Sequence, residues 1–292
     1  MTVADLLQFL SSGLTAGATY ALVGLGFTLI YNASGVINFA QGEFVMIGGM
    51  SAVSLVSLGV PLPLAAVLAV LCGGVVGFAL ERLAIEGARG ASLLTLSIIT
   101  LGASIALRGA AQLLWDRQFH RLPSFSGEEP LTIAGATILP QSLWVLGVSA
   151  LIVAGLRAFF SRTLLGKAML AAAYDPMAAQ LVGIDVRLVL RLCFVLAAML
   201  GALAGVLITP IALTSYEAGI LAGFKGFAAA MLGGLGHPYG AVAGGLVLGV
   251  VEALAAGYLS SEYKDAIGFV ILMLVLFFMP NGLFGSARAE RV

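Results

Sequence analysis

The chain has 292 residues, of which 61% are hydrophobic and 10% charged, with 14 basic and 14 acidic side chains in balance. Soluble domains carry about a quarter charged residues, so this composition excludes a soluble globule and predicts an all-α, polytopic membrane protein built as one domain, residues 1–292. Zero net charge offers no basic surface for nucleic acid, and the 38 glycines suit helices that approach closely in lipid through small residues.

A span needs about 20 apolar residues. Met1–Gln8 lacks the basic start of a cleavable signal peptide, so the first apolar run, Phe9–Tyr31, is itself read as a span. Asn32–Met50, running on to Leu58, is apolar enough to enter the membrane yet holds Asn32, Asn38, Gln41 and Glu43. Pro61 and Pro63 mark a turn, and Leu64–Leu80 is a third span. Glu81–Arg89 is a charged loop, and Ser92–Trp115 a fourth span with Arg108 near its far end. The long polar connection Asp116–Gln141 contains Leu131–Leu139, which alternates as a small hairpin around Ala134-Gly135. Ser142–Phe160 is a fifth span and Leu188–Thr209 a sixth. A loop with Glu217 leads to the glycine-rich Gly223–Gly236, with Lys225 at its start. Tyr239–Tyr258, which contains Glu252, and Ala266–Met279 complete eight or nine membrane segments, some short or broken.

Between the fifth and sixth spans, Ser161–Arg191 concentrates Arg162, Lys167, Asp175, Asp185, Arg187 and Arg191. Asp175-Pro176 reads as a helix start: Asp accepts a backbone N–H at the N-cap, and Pro loses nothing at the first helical position. Gly183 reads as the stop. The two turns between, Pro176–Val182, carry Met177, Leu181 and Val182 as an apolar grip. So short a helix is marginal in water and needs a surface to pack on. A cytoplasmic partner protein and the bilayer interface both fit.

Positive charge sets the orientation. With Ser161–Arg191 in the cytoplasm, that side holds Arg82, Arg89, Arg157, Arg162, Lys167, Arg187, Arg191, Arg288 and Arg291, against Arg117, Arg121 and Lys264 outside. The N-terminus then faces out, and Gly223–Gly236 must cross as a short helix. Met46-Ile47-Gly48-Gly49 echoes Met231-Leu232-Gly233-Gly234. Short glycine-interrupted segments at matching places in two halves point to a transporter's centre.

Glu43 is the most exceptional residue, because an ionised carboxylate is costly in lipid. Asn38 and Gln41 share a helical face, and Gly42 invites a break or a close backbone approach. Three readings stand. Asn38, Gln41, Gly42 and Glu43 line a solute pathway or gate; or they tie spans together; or they lie in a loop outside the membrane. Lys225 and Arg108 are expected to snorkel, and Glu252 to pair with a cation or lie near the outer end of its span. His120 and His237 are expected to be solvated in loops, and Cys72 and Cys193 to be small packing residues. There is no phosphate-binding G-x-x-x-x-G-K-[ST] run, no metal-spaced Cys/His cluster and no catalytic constellation. No cofactor, metal site or enzymatic activity is expected of this chain. From the residues alone, an ion-coupled secondary transporter with Glu43 as coupling carboxylate stays open.

The runs G-L-T-A-G-A-T-Y-A-L-V-G-L-G-F-T-L-I-Y from Gly13 to Tyr31 and G-V-I-N-F-A-Q-G-E-F-V-M-I-G-G from Gly35 to Gly49 resemble the opening of the branched-chain amino-acid ABC transporter permeases of the LivH type. A-A-Q-L-V-G-I-D-V from Ala178 to Val186 resembles their cytoplasmic coupling segment. G-F-A-A-A-M-L-G-G-L-G from Gly226, G-A-V-A-G-G-L-V-L-G-V-V-E-A from Gly240 and P-N-G-L-F-G from Pro280 resemble their C-terminal third. The likeness runs in order over nearly the whole chain. It implies a multi-pass permease subunit of the bacterial cytoplasmic (inner) membrane, set in membrane lipid and working by alternating access. It also implies partners: a second, related permease subunit of the LivM type, two ATP-binding subunits and an extracytoplasmic solute-binding protein. Asp175, Pro176, Met177, Leu181, Val182, Gly183, Ile184 and Asp185 would then form a coupling helix seated in an ATPase groove. Such permeases import branched-chain or other amino acids; relatives carry urea, short amides or aromatic acids. Two places depart from the pattern: Leu170 stands where arginine is common, and Glu86-Gly87-Ala88-Arg89 where Arg-Pro-Leu-Arg is often seen.

Overall fold

The structure, a computed structural model, describes residues 3–88, 90–133, 135–260 and 263–285. In chain order they form α1 (Val3–Ser34), α2 (Gln41–Ser57), α3 (Leu62–Leu80), α4 (Leu93–Trp115), a hairpin of β1 (Leu131–Ile133) and β2 (Ala136–Ile138), α5 (Pro140–Arg162), α6 (Leu164–Tyr174), α7 (Pro176–Leu181), α8 (Val186–Ala212), α9 (Ala218–Gly233), α10 (Pro238–Tyr258) and α11 (Lys264–Phe278). Six runs are long and apolar enough to cross a membrane: Val3–Ser34, Leu62–Ala88, Leu93–Trp115, Pro140–Arg162, Val186–Ala212 and Pro238–Tyr258. With the shorter α2, α9 and α11, of 17, 16 and 15 residues, the described residues hold nine segments, the upper of the two numbers expected.

The helices are arranged as two halves, α1–α4 and α8–α11, that exchange partners. α1 packs along α10 and α9, while α8 packs along α3 and α2. α2 touches α3 and α4, as α9 touches α10 and α11, and the two short helices meet each other at the centre. This is the arrangement of a pseudo-two-fold repeat, but the echoed runs fall at different heights on the paired helices, Met46–Gly49 in the first half of α2 and Met231–Gly234 at the C-terminal end of α9. The long antiparallel contacts rest on missing side chains. A Cβ at Gly13 would lie 2.7 Å from Val250 Cα, and one at Gly17 would lie 2.8 Å from Leu246 Cα. In lipid, where apolar burial gives little drive, such close backbone packing supplies the association.

α2 is enclosed: every residue from Gln41 to Ala52 is buried. By contrast α4, α5 and α11 expose large apolar side chains such as Leu94, Ile105, Leu151 and Phe277, a surface suited to hydrocarbon. The helix breaks before Gly42, across residues 35–40. Gly35 there takes a positive φ of 69°, and Asn38 Oδ1 accepts a hydrogen bond from Ala40 N–H at 3.1 Å.

Several boundaries differ from the sequence reading. Glu81 does not open a charged loop. The chain continues helically through a π turn, Glu81–Ile85, and a 3-10 turn, Glu86–Ala88. Fully buried Glu81 lies 3.3 Å from Arg191, which also holds Glu86 at 2.8 Å. This ties the C-terminal end of α3 to the N-terminal end of α8. The segment after α5 is a helix, α6, started by Thr163, whose Oγ1 accepts from Gly166 N–H. Its 11 residues are too few to span and lie between Arg162 and Asp175, which made the stretch read as loop. The hairpin forms in antiparallel register, Leu131 opposite Ile138 and Thr132 opposite Thr137. Neither histidine is merely solvated: His120 bridges to Thr214 through its backbone, and His237 Nδ1 caps α10 by accepting from Gly240 N–H. Ala134 of the hairpin turn, and Arg89, Arg288 and Arg291 of the positive side, lie outside the described residues.

Candidate functional site

Two charged nodes, one in each half, flank the centre. In the first, Asn38, Gln41 and Glu43 are all at most 2% exposed, so Glu43 is not in an external loop. Glu43 Oε1 accepts from Ser104 Oγ at 2.8 Å and faces Arg108 Nε at 3.3 Å, both on α4. Arg108 therefore pairs inward rather than snorkelling alone. Gln41 Nε2 donates to the Ala197 carbonyl of α8 at 2.9 Å. Gly42 lies against Gly219 and Gly223 of α9, where any Cβ would meet the backbone of the other helix. The four residues thus sit at a junction of α2, α4, α8 and α9.

The second node joins Glu252 to a cation within the bundle, one of the two expectations for that residue, through a lysine that was expected to snorkel. Lys225 on α9 is 3% exposed and does not snorkel. Its Nζ donates to Glu252 of α10 at 2.8 Å, to Asp265 of α11 at 2.6 Å and to the Tyr20 hydroxyl of α1 at 3.1 Å. Tyr20 in turn donates to Glu252 at 2.9 Å. All three ammonium donors are used, which is how a buried lysine remains tolerable in a bilayer. The sequence signal was present in Lys225 and Glu252 as charges inside apolar runs, but nothing local links residues 27, 40 and 205 positions apart.

Beside this node a cavity of about 590 Å³ opens toward the side assigned to the exterior. Its walls come from the outer half of α1, the C-terminal end of α8, the N-terminal half of α9 and β2. They carry hydroxyls from Thr15, Thr19, Ser142, Thr209, Thr214 and Ser215, and Tyr20 and Lys225 reach it from the second node. Asn38, Gln41, Gly42 and Glu43 are not among its lining residues; Val45 is the lining residue from α2. Glu217, at the start of α9, also lines it. The neighbouring Glu217 carboxylate, followed by burial, holds the Tyr216 phenol above its usual value.

At the opposite end, α7 forms as expected. Asp175 Oδ1 accepts from Met177 and Ala178 N–H at 2.9 and 3.0 Å, Pro176 takes the first position, and Gly183 has φ 87°. Met177, Leu181 and Val182 are 76%, 85% and 76% exposed, an apolar tip held out from the bundle. Two residues of the segment serve the chain itself. Asp185 caps α8 by accepting from Arg187 and Leu188 N–H. Ile184 turns inward onto the cluster of Met169, Ala172 and Val189, so it is corrected from an outward contact to the anchor of α7.

Compared with known proteins, residues 9–276 match the family described as branched-chain amino acid transport system, permease component. The chain belongs to this family. It is 37% identical to the high-affinity branched-chain amino acid transport system permease protein BraD of Pseudomonas aeruginosa, over 98% of both chains. It is likewise 37% identical to LivH, the corresponding permease protein of Escherichia coli K12, over 98% of this chain and 97% of that one. Among solved structures, PsaBC from Streptococcus pneumoniae in complex with Fab shares the fold at a TM-score of 0.53, with 15% identity over 96% of this chain and 97% of the other. The resemblance drawn from the motifs is thus shown. The chain is a multi-pass membrane permease component of an ABC transport system, a family whose members work with ATPase and solute-binding components.

Proposed function

We propose that the chain is the membrane permease of a branched-chain amino-acid importer in the cytoplasmic membrane, paired with a second related permease. In this reading two ATP-binding subunits dock on its cytoplasmic face, and a binding protein delivers solute to the outer cavity. The observation that carries the reading is 37% identity across 98% of the chain to permeases named for that transport. The geometry supports it in two places. The exposed tip of α7 suits seating in a partner's apolar groove, while Ile184 and α6 fix its base on α8. Movement of α7 then reaches α8, which packs on both α2 and α3, so nucleotide-driven closure of the partners shifts the walls of the outer cavity. The chain itself supplies position and pathway, and hydrolysis belongs to the partners.

The test is uptake of radiolabelled leucine into liposomes holding the complete complex, with internal ATP and external binding protein. Leu181→Asp places a carboxylate in the proposed contact. It is expected to abolish uptake and ATPase stimulation while the permease purifies at normal yield; unchanged uptake would remove α7 from the mechanism. Ion-driven uptake by this chain alone would instead establish a secondary transporter.

A further inference from the structure

A separate cavity of about 340 Å³ lies toward the cytoplasmic end, bounded by α1, α5, α8 and α10 and roofed by α6. Its volume falls within the range of small-ligand sites, roughly 300–1,000 Å³. Leu25, Leu29, Val153, Leu156, Phe160 and Met169 make it apolar in the interior. Its charged lining residue is Arg157, which has no ion-pair or hydrogen-bond partner among the described residues. Arg157 stands five residues before the end of α5, roughly 7–8 Å along the axis, so its long side chain can reach from the apolar slot to a headgroup beyond it. His237 lies at the same rim. Because its Nδ1 accepts from Gly240 N–H at 3.0 Å, the neutral ring carries its proton on Nε2, a second donor.

We propose that this cavity binds one anionic phospholipid, with an acyl chain along Leu25, Val153 and Leu156 and the phosphate on Arg157 and His237. An apolar slot with an unpaired cation at its cytoplasmic lip fits that ligand in both parts, as basic pockets between membrane helices bind lipid headgroups. A zwitterionic lipid gains the slot but less from the arginine, and a polar solute gains nothing from the walls. The site lies directly beneath α6, which contributes Met169, Leu170 and Ala173 to it and runs on into α7. The bound lipid therefore fills the space under the element that carries the exposed tip of α7, and it steadies that element against the transport core.

Delipidated transport complex is titrated with phosphatidylglycerol or phosphatidylcholine and read by native mass spectrometry. The expected result is one tightly retained phosphatidylglycerol per permease, weakened about fivefold in Arg157→Ala and abolished in Val153→Trp, which fills the slot. Phosphatidylcholine binding should be weaker and indifferent to Arg157→Ala. Equal retention of both lipids, or phosphatidylglycerol binding unchanged by Arg157→Ala, overturns the proposal. Size-exclusion profiles identify variants that fail to assemble. Should either fail, a photo-reactive residue at Val153 in native membranes decides: lipid adducts support the site, and cross-links to a second polypeptide overturn it.

Discussion

The two halves of the bundle each place one charge on the short central helix and answer it from the fourth helix, with the signs reversed. In the first half the acid Glu43 sits on α2 and Arg108 on α4; in the second the base Lys225 sits on α9 and Asp265 on α11. The difference is in how completely each is satisfied. Lys225 has three partners on three helices and lies beside the outer cavity. Glu43 holds Ser104 and Arg108 through one oxygen, while its other oxygen faces Gly219 of α9 without a hydrogen-bond partner. A like fold therefore uses one node as a fixed clamp and leaves the other under-satisfied, even though α2 and α9 themselves pack backbone to backbone at Gly42.

The contrast can be broken in order of expected effect. Lys225→Met strands the Glu252 carboxylate, and removing one partner of a buried pair costs about 3–5 kcal/mol. The expected result is a large fall in unfolding temperature in detergent, partly recovered by adding Glu252→Gln; an unchanged temperature would make the second node dispensable. Gly42→Ala drives a methyl into the backbone of α9. Overpacking of about 1–3 kcal/mol outweighs the roughly 1 kcal/mol gained in helix propensity, and altered spin-label distances between α2 and α9 would register the shift. Glu43→Gln keeps an acceptor for Ser104 but removes the charge facing Arg108, a loss of about 1–2 kcal/mol. If the under-satisfied node rearranges during transport, uptake falls while membrane yield holds; loss of yield instead would make Glu43 purely a tie. Tyr20→Phe is expected to be mildest, about 1 kcal/mol, because both carboxylates still hold Lys225.

What was legible in the sequence was what is local. The ends of α7 were readable because Asp175, Pro176 and Gly183 act on their immediate neighbours. The apolar runs gave the spans, and the glycine-rich Met46–Gly49 and Met231–Gly234 pointed to the two short helices α2 and α9, although the runs sit at different heights on them. Glu43 stood out by its setting, although its partners did not. Lys225 and Arg108 were misjudged because a charge near the end of an apolar run looks the same whether it reaches for water or for a carboxylate brought from far along the chain. Ile184 was misplaced for a related reason: exposure at the tip of a two-turn helix depends on which neighbour the next helix presents. The outer cavity draws on seven separate elements and had no signature in any one of them.

The exchange of partners between the halves also constrains how the protein is made. α1 carries the glycine face for α10, yet Pro238 follows Ser34 by roughly 200 residues, about 10–40 s of synthesis at about 5–20 residues per second. Throughout that interval the first helix is inserted without its companion, its bare backbone stripe and Tyr20 still waiting for α9, α10 and α11. Biogenesis thus needs a temporary guardian for α1, lipid or insertion machinery. A ribosome stalled before α10 should leave α1 open to labelling at Ala21→Cys, a buried position that lies against Gly245 of α10, and completion of the chain should close it.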